Sequence, residues 1–224
     1  MKIFIPEKWK NFEEELSEFG RVAVVKKGKI EGSEIIFNGE KVSMVVDAGF
    51  RELMETLADL GYDFVALEDF DIKIPKVSSV EEVRKLKNFE SLKSLIRKVK
   101  ETDGAERCGA IGIFVGFVRK TSDKKETVRL EYEEDEEIFE KKIEHIEKKL
   151  KSNPGIVDVR IFHRTGVLLP GEDIVYVVVM GEHRKDVWKP LEESMNLVKK
   201  ELPVWKKEVY LDGEIWAHDA DYIK

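Results

Sequence analysis

Cys108-Gly-Ala-Ile-Gly-Ile-Phe-Val-Gly-Phe-Val-Arg119 decides how the rest of the chain is read. Its apolar content predicts a strand, yet it carries Gly109, Gly112 and Gly116. Glycine inside a strand marks a bulge or a point where a ligand or another backbone comes close. The spacing fits neither G-x-x-x-x-G-K-[ST] nor G-x-G-x-x-G, so nucleotide binding through this strand is unsupported. Cys108 precedes an apolar run and reads as a small buried hydrophobe rather than a nucleophile.

Upstream, residues 80–99 read as a helix broken near Asn88, followed by a turn at Asp103-Gly104. Downstream, Thr127 to Tyr132 reads as a strand, and Ile138, Phe139, Ile143, Ile146 and Leu150 carry the apolar stripe of an amphipathic helix that Pro154-Gly155 ends. Val157, Val159 and Ile161 alternate as a strand, Leu168 to Gly171 forms a turn, and Ile174 to Met180 is apolar enough for a central buried strand. A helix from Lys185 to Glu201 stops at Pro203, with Pro190 as a kink point, and two short strands flank Asp212-Gly213. The acidic run Glu131 to Glu137 reads as charge at a helix N-terminus rather than a cation cage.

Before residue 80 the chain alternates strands and helices on a smaller scale. Lys2 to Pro6, Arg21 to Val25 and Phe64 to Leu67 read as strands, Asn38-Gly39 as the turn of a hairpin, and the Phe12, Leu16, Phe19 and Phe50, Leu53, Leu57, Leu60 stripes as helices. Pro75-Lys-Val-Ser-Ser79 is the expected boundary, which divides the chain into domains 1–80 and 81–224 of an α/β (α+β) protein.

The chain has 224 residues, 38% charged and 42% hydrophobic, with one cysteine. That excludes a disordered, collagenous or disulfide-stapled chain. No apolar run approaches the ~20 residues that cross a bilayer, and the N-terminus is unlike a secretory signal, so a cytoplasmic setting without membrane contact is expected. Interspersed Lys and Glu with no Gln is the bias of a thermophile protein. The net charge of -7 argues against a nucleic-acid partner. The mean hides a gradient: residues 1–80 hold 11 Lys and Arg against 16 Asp and Glu, whereas His183 to Lys207 has seven basic residues against four acidic ones. Such a patch suits one small anionic ligand.

Three constellations could carry chemistry. Lys199 and Met195 lie four apart on one helix face, and Lys206, just past Pro203, can return beside Lys199. Neighbouring ammonium groups depress each other's pKa, which equips a lysine for acid, base or nucleophilic work; a solvated Lys-rich helix end explains the same spacing. His163-Arg164 and His183-Arg184 each follow a strand, where α/β sheets place ligands. His163 continues the apolar side of its strand and reads as a satisfied core residue, while Arg184 opens a helix in the basic stretch and reads as an anion ligand. One cysteine and four scattered histidines give no zinc spacing, so no metal or other cofactor is expected.

Taken in order, Gly109 to Arg119, Leu130-Glu131-Tyr132, His163-Arg164-Thr-Gly166, Gly181-Glu-His183-Arg184 and Pro203-Val-Trp205-Lys206-Lys207-Glu208 resemble the large catalytic subunit of molybdopterin synthase over residues 86–218. The resemblance implies a homodimeric α/β hammerhead protein, a heterotetramer with two copies of a small ubiquitin-like sulfur carrier that ends in a Gly-Gly thiocarboxylate. It implies transfer of two sulfurs to cyclic pyranopterin monophosphate, forming the dithiolene of molybdopterin. By motif match, Lys199 is the essential catalytic lysine and Lys206 its neighbour that helps hold the substrate and the carrier tail. Arg119, His183 and Arg184 match anion-binding residues, and Phe114 and Met195 pocket lining. Residues 21–28 and 60–76 resemble the accessory protein of molybdopterin-guanine dinucleotide synthesis, but Pro6 to Glu13 contain no glycine where that family has a P-loop, which implies a degenerate domain. The alternative functions are a non-catalytic scaffold and a nucleotide-binding accessory protein of molybdenum or tungsten cofactor assembly.

Overall fold

The computed structural model describes residues 1–7, 12–26, 36–38, 41–43, 49–68, 70, 72–122 and 125–217. They divide into two compact units, Met1–Ser94 and Leu95–Lys224. The boundary expected near residue 80 falls inside the first unit, because Val80 and Val83 pack into its core with Phe4, Phe12 and Leu16.

The first unit contains β1 (Lys2–Pro6), α1 (Phe12–Ser17), β2 (Val22–Lys26), β3 (Ile36–Asn38), β4 (Lys41–Ser43), α2 (Phe50–Asp59), β5 (Phe64–Glu68), β6 (Lys76–Val77) and α3 (Val80–Lys85). Strands β2-β5-β1-β6 form a parallel sheet, and β3 pairs with β4 as the expected hairpin, whose turn lies outside the described residues. Successive side chains of β5 face opposite ways: Phe64 and Ala66 join the core under α1 and α3, Val65 and Leu67 that under α2. Burial of all four on both faces is what a central parallel strand requires. Phe19, expected on the stripe of α1, lies beyond the helix and is exposed under the Arg84 guanidinium, 5.2 Å from its ring.

α4 (Leu92–Lys100) follows, separated from α3 as the break near Asn88 predicts, and the division between units falls within it. The second unit continues with a 3-10 turn at Ala105–Arg107, β7 (Ala110–Phe117), β8 (Thr121–Ser122), β9 (Lys125–Glu134), α5 (Glu136–Lys151), β10 (Ile156–His163), β11 (Gly166–Leu168), β12 (Asp173–Gly181), α6 (Arg184–Glu201), β13 (Val204–Tyr210) and β14 (Gly213–Ala217). Two antiparallel sheets result: β10-β12-β7, and β11-β9-β13-β14 with β8 paired to β9. β12 is central, as expected, and its Val175, Val177 and Val179 form the main core with Val159 and Ile161 of β10, Phe139, Ile143, Ile146 and Leu150 of α5 and Val187, Leu197 and Val198 of α6. Helix α6 continues through Pro190 to Glu201. Two expectations change. The acidic run from Glu131 is split, with Glu131, Glu133 and Glu134 on β9 and the helix starting only at Glu136. Leu168 is buried at the end of a strand paired to β9, and the turn begins after it.

The glycines of the opening stretch are explained by close approach. A Cβ on Gly112 would lie 3.3 to 3.5 Å from Leu191 and Val187, so this position lets α6 lie flat on β7. One on Gly116 would meet Val175 at 2.8 Å and the Phe114 ring at 3.2 Å.

Away from that helix, α5 is tied to β10 by carboxylates. Asp158 is wholly buried; it accepts from Thr102 Oγ1 at 2.8 Å and Arg160 Nε at 2.8 Å, and pairs with Lys151 at 2.5 Å. Burial pushes its pKa up, but Lys151, Thr102 and Arg160 outweigh this and hold it below the ordinary carboxylate value. Glu147 Oε1 accepts from the Ile161 amide at 2.7 Å. Here burial dominates over that hydrogen bond and the nearby cations, and the carboxyl is pushed up to about 7. A carboxyl that binds its proton more tightly when folded stabilises fully below its unfolded pKa, and loses that contribution as pH rises to about 7. The loss is on the order of 3 kcal/mol. Glu147→Gln keeps the acceptor without the titration, so calorimetry is expected to show little change at pH 5 and a melting temperature several degrees higher than wild type at pH 8.

Candidate active site

A cavity of about 450 Å³ is walled by both sheets of the second unit and by α6. β7 and the residues after it bring Phe114, Phe117 and Arg119; α6 brings Met195 and Lys199; β13 brings Lys206; β9 and β10 bring Tyr132 and His163. Five of the seven residues singled out from the sequence therefore meet in one place: Arg119, Phe114, Met195, Lys199 and Lys206. Each arrives for a local reason. Met195 and Lys199 are one helical turn apart, and Lys199 sits in the last turn of α6, where a cation complements the helix dipole. Lys206 is delivered by register, facing Tyr132 across the β13–β9 ladder while Lys207 faces Glu131. Because side chains alternate along a strand, Lys206 points to the cavity side and Lys207 away, where it pairs with Glu214 at 2.7 Å.

The two lysines differ in setting. Lys199 is exposed at the rim, whereas Lys206 is largely covered, its side chain 11% exposed, and paired with Glu208 at 2.9 Å. Glu208 also accepts from the Tyr210 hydroxyl. Burial raises its pKa, but Tyr210, Lys206 and Arg119 together hold the carboxyl below its ordinary value, so it is a carboxylate at neutral pH. The mutual lysine repulsion expected from sequence is thus answered by an acid two residues along the same strand face, a partner the i, i+2 spacing of Lys206 and Glu208 could have disclosed.

His163 and Tyr132 were not among the expected site residues. His163 is buried as a core residue, its ring edge-on to Tyr132 at 5.2 Å and to Phe139 at 6.3 Å, and it also lines the cavity.

His183 and Arg184 lie elsewhere. They border a separate surface depression with Gly109, Glu182 and Lys185. His183 caps α6, with Asp186 accepting its amide at 3.0 Å. Val175 is in the cavity wall and His183 follows the far end of β12, a separation of roughly 25 Å at strand rise. Within one chain, therefore, they do not join Lys199. Cys108 is half-buried rather than buried, and burial, opposed by Arg107, pushes its thiol pKa up, so the thiolate is disfavoured. Among the described residues no group of His, Cys, Asp and Glu could hold a metal ion, and no helix is long and apolar enough to cross a membrane.

The cavity of this mixed α/β protein thus brings donor-only cations beside aromatic rings and a thioether. Comparison with known proteins narrows the class. The family described as MoaE protein matches residues 87–201. The chain is 36% identical over 126 residues to the molybdopterin synthase catalytic subunit of Bacillus subtilis, covering 56% of this chain and 78% of that one. It is 35% identical over 131 residues to a probable molybdopterin synthase of Haloferax volcanii, covering 58% of this chain and 50% of that one. The crystal structure of molybdopterin synthase from Staphylococcus aureus aligns at 34% identity and a TM-score of 0.48 over 50% of this chain and 82% of that one. The chain belongs to the MoaE protein family.

Proposed function

We propose that this chain is the catalytic subunit of a molybdopterin synthase, a sulfurtransferase that converts cyclic pyranopterin monophosphate into the molybdopterin dithiolene in a cytoplasmic setting. Each sulfur leaves the C-terminal thiocarboxylate of a small carrier subunit, which returns as a carboxylate. The observation that carries the reading is the convergence of Arg119, Lys199 and Lys206 with Phe114 and Met195 on one cavity. Arg119 suits the substrate phosphate and the carrier tail because a guanidinium offers two parallel donors to an oxyanion. Lys206, held by Glu208, is a fixed positive charge beside the reacting carbon, and Lys199 is the group that forms or breaks bonds.

His183 and Arg184 serve the reaction, in this reading, by belonging to a second copy in a homodimer whose hammerhead protomers each bind one carrier, giving a heterotetramer. The test is to incubate the full chain with thiocarboxylated carrier and cyclic pyranopterin monophosphate and follow the product by mass. Gain of two sulfurs per pterin is expected; unchanged pterin refutes the function.

For Met1–Ser94 the proposal is a degenerate relative of the guanine-dinucleotide accessory protein. Its parallel β2-β5-β1-β6 sheet supports this, and the absence of glycine from Pro6 to Glu13 removes the cradle of backbone amides that phosphates need. Titration of the full chain with GTP, with and without magnesium, is expected to show no saturable binding.

A further inference from the structure

We infer that two copies of this chain join at the open edge of β7, which pairs antiparallel with itself across a two-fold axis at Ile113, and that Trp188 anchors the contact. This rests on the homodimer proposed above and assigns the surface that makes it. β7 is the outer strand of β10-β12-β7, and among the described residues no strand pairs with its other edge. Proteins blunt such edges with charge, proline or brevity. Ala110–Phe117 has eight residues, no charge and no proline, and Ile113 and Phe117 on it are 41% and 58% exposed.

The backbone sets the register. The Gly109 amide donates to the Glu182 carbonyl at 3.1 Å, so alternation turns the N–H and C=O groups of Ala110, Gly112, Phe114 and Gly116 to the open edge. Ile113 is the midpoint of these four, and a two-fold there lets all of them pair, Gly112 with the partner's Phe114 and Ala110 with the partner's Gly116. Facing side chains in such a ladder share a face. Ile111, Ile113 and Val115 turn away from α6, against which Gly112 lies, and so meet their own copies in one apolar row. The reversal of direction also joins the two ends of the strand. Gly109, in the wall of the depression that holds His183 and Arg184, comes opposite the partner's Phe117, in the wall of the cavity. Because the axis is perpendicular to the sheet, both α6 helices stay on one face, and the partner's Arg184 approaches the cavity that its own chain keeps a strand's length away. Arg184, Trp188, Leu191, Met195 and Lys199 recur on one stripe of α6. Leu191 abuts Gly112, and Met195 and Lys199 line the cavity, yet Trp188 on the same stripe is 62% exposed. A rigid aromatic side chain beside an open strand edge is the kind of group that anchors a protein interface.

The test uses the full chain without carrier. In a Cys108→Ser background, Ile113→Cys leaves one thiol per chain at the axis, where facing Cα atoms are about 4.5 Å apart, within disulfide reach. Mild oxidation is expected to join most chains into a reducible covalent dimer, whereas Ile215→Cys in the same background, at a position at least as exposed on the other sheet, stays unlinked. Trp188→Glu is expected to turn the dimer seen by sedimentation into a folded monomer; a dimer that persists removes Trp188 as the anchor. A wild type that sediments as a monomer, or a dimer in which Ile113→Cys links no more than Ile215→Cys, overturns the inference without reference to activity. In turnover, co-expressed Lys199→Ala and Arg184→Ala chains are expected to recover about one-quarter of the wild-type rate, because half the dimers are mixed and each of those holds one whole site. A rate no higher than the two variants give separately overturns the placement of Arg184. A wild type that dimerises and cross-links as expected yet leaves the pterin unchanged refutes the synthase reading alone, which keeps the two failures apart.

Discussion

Lys199→Ala is expected to lower dithiolene formation by at least about a hundredfold, the range over which a positioned proton-transfer or nucleophilic group accelerates a reaction. Lys199 is exposed at the end of α6, so its removal opens no hole and leaves the fold intact. The loss is therefore expected in kcat, with the melting temperature unchanged and the carrier still bound. Single-turnover assays with preloaded thiocarboxylated carrier make the distinction: full turnover by the variant would remove Lys199 from the chemistry. Lys206→Ala is expected to behave differently. Lys206 is largely covered and paired with Glu208, and taking it away leaves the buried carboxylate held by Tyr210 without its paired cation. Both activity and stability fall, and only Lys199 gives a clean kinetic phenotype.

Asp158→Ala is expected to cost about 3 kcal/mol of folding stability, the lower part of the range for breaking a buried ion pair. Asp158 is wholly buried and gathers Thr102, Lys151 and Arg160 from three parts of the second unit. The figure is held down because Lys151 and Arg160 are each about one-third exposed and can turn to water once released. Asp158→Asn keeps an acceptor for Thr102 and is expected to lose roughly half as much. Urea unfolding at pH 7 measures both. Wild type itself is expected to lose this contribution in acid: the folded-state pKa is depressed, so the stabilisation is present above the unfolded carboxylate value and disappears as pH falls through the folded one. Glu147 works in the opposite direction over a higher range, so the two carboxylates bracket a window of greatest stability on the acid side of neutrality.

Much of the fold was legible because the strands announce themselves by composition and the helices by period. β12 reads as central from its unbroken apolar run, and the glycines of β7 read as close approaches, which Val187, Leu191 and Val175 turn out to be. The unit boundary was misplaced because Pro75 to Ser79 looks like a linker locally, whereas Val80 and Val83 are claimed by an apolar core contributed from residues far earlier in the chain. The site followed the same rule. Lys199 with Met195 was readable from helical spacing, and Lys206 from its place after Pro203. Nothing local shows that His183 and Arg184 lie a strand's length from Lys199, since motif order carries no distance. The pairing of Glu208 with Lys206 and the double role of His163 depend on which way a strand faces, and that is settled only when the sheet forms.

The β13–β9 ladder has one more consequence. Trp205, Lys206 and Lys207 differ in chemistry but are adjacent in sequence, and the parity of the strand alone decides which of them faces the cavity. Inserting one residue between Pro203 and Trp205, with the downstream turn at Gly213 anchoring the rest, would leave Lys206 in place and disturb only the entry from α6. Inserting one between Lys206 and Glu208 would separate the ammonium from its carboxylate onto opposite faces. The candidate site is in that sense a phase as much as a place: a single residue gained between its two charged partners would dissolve it without removing any of its members.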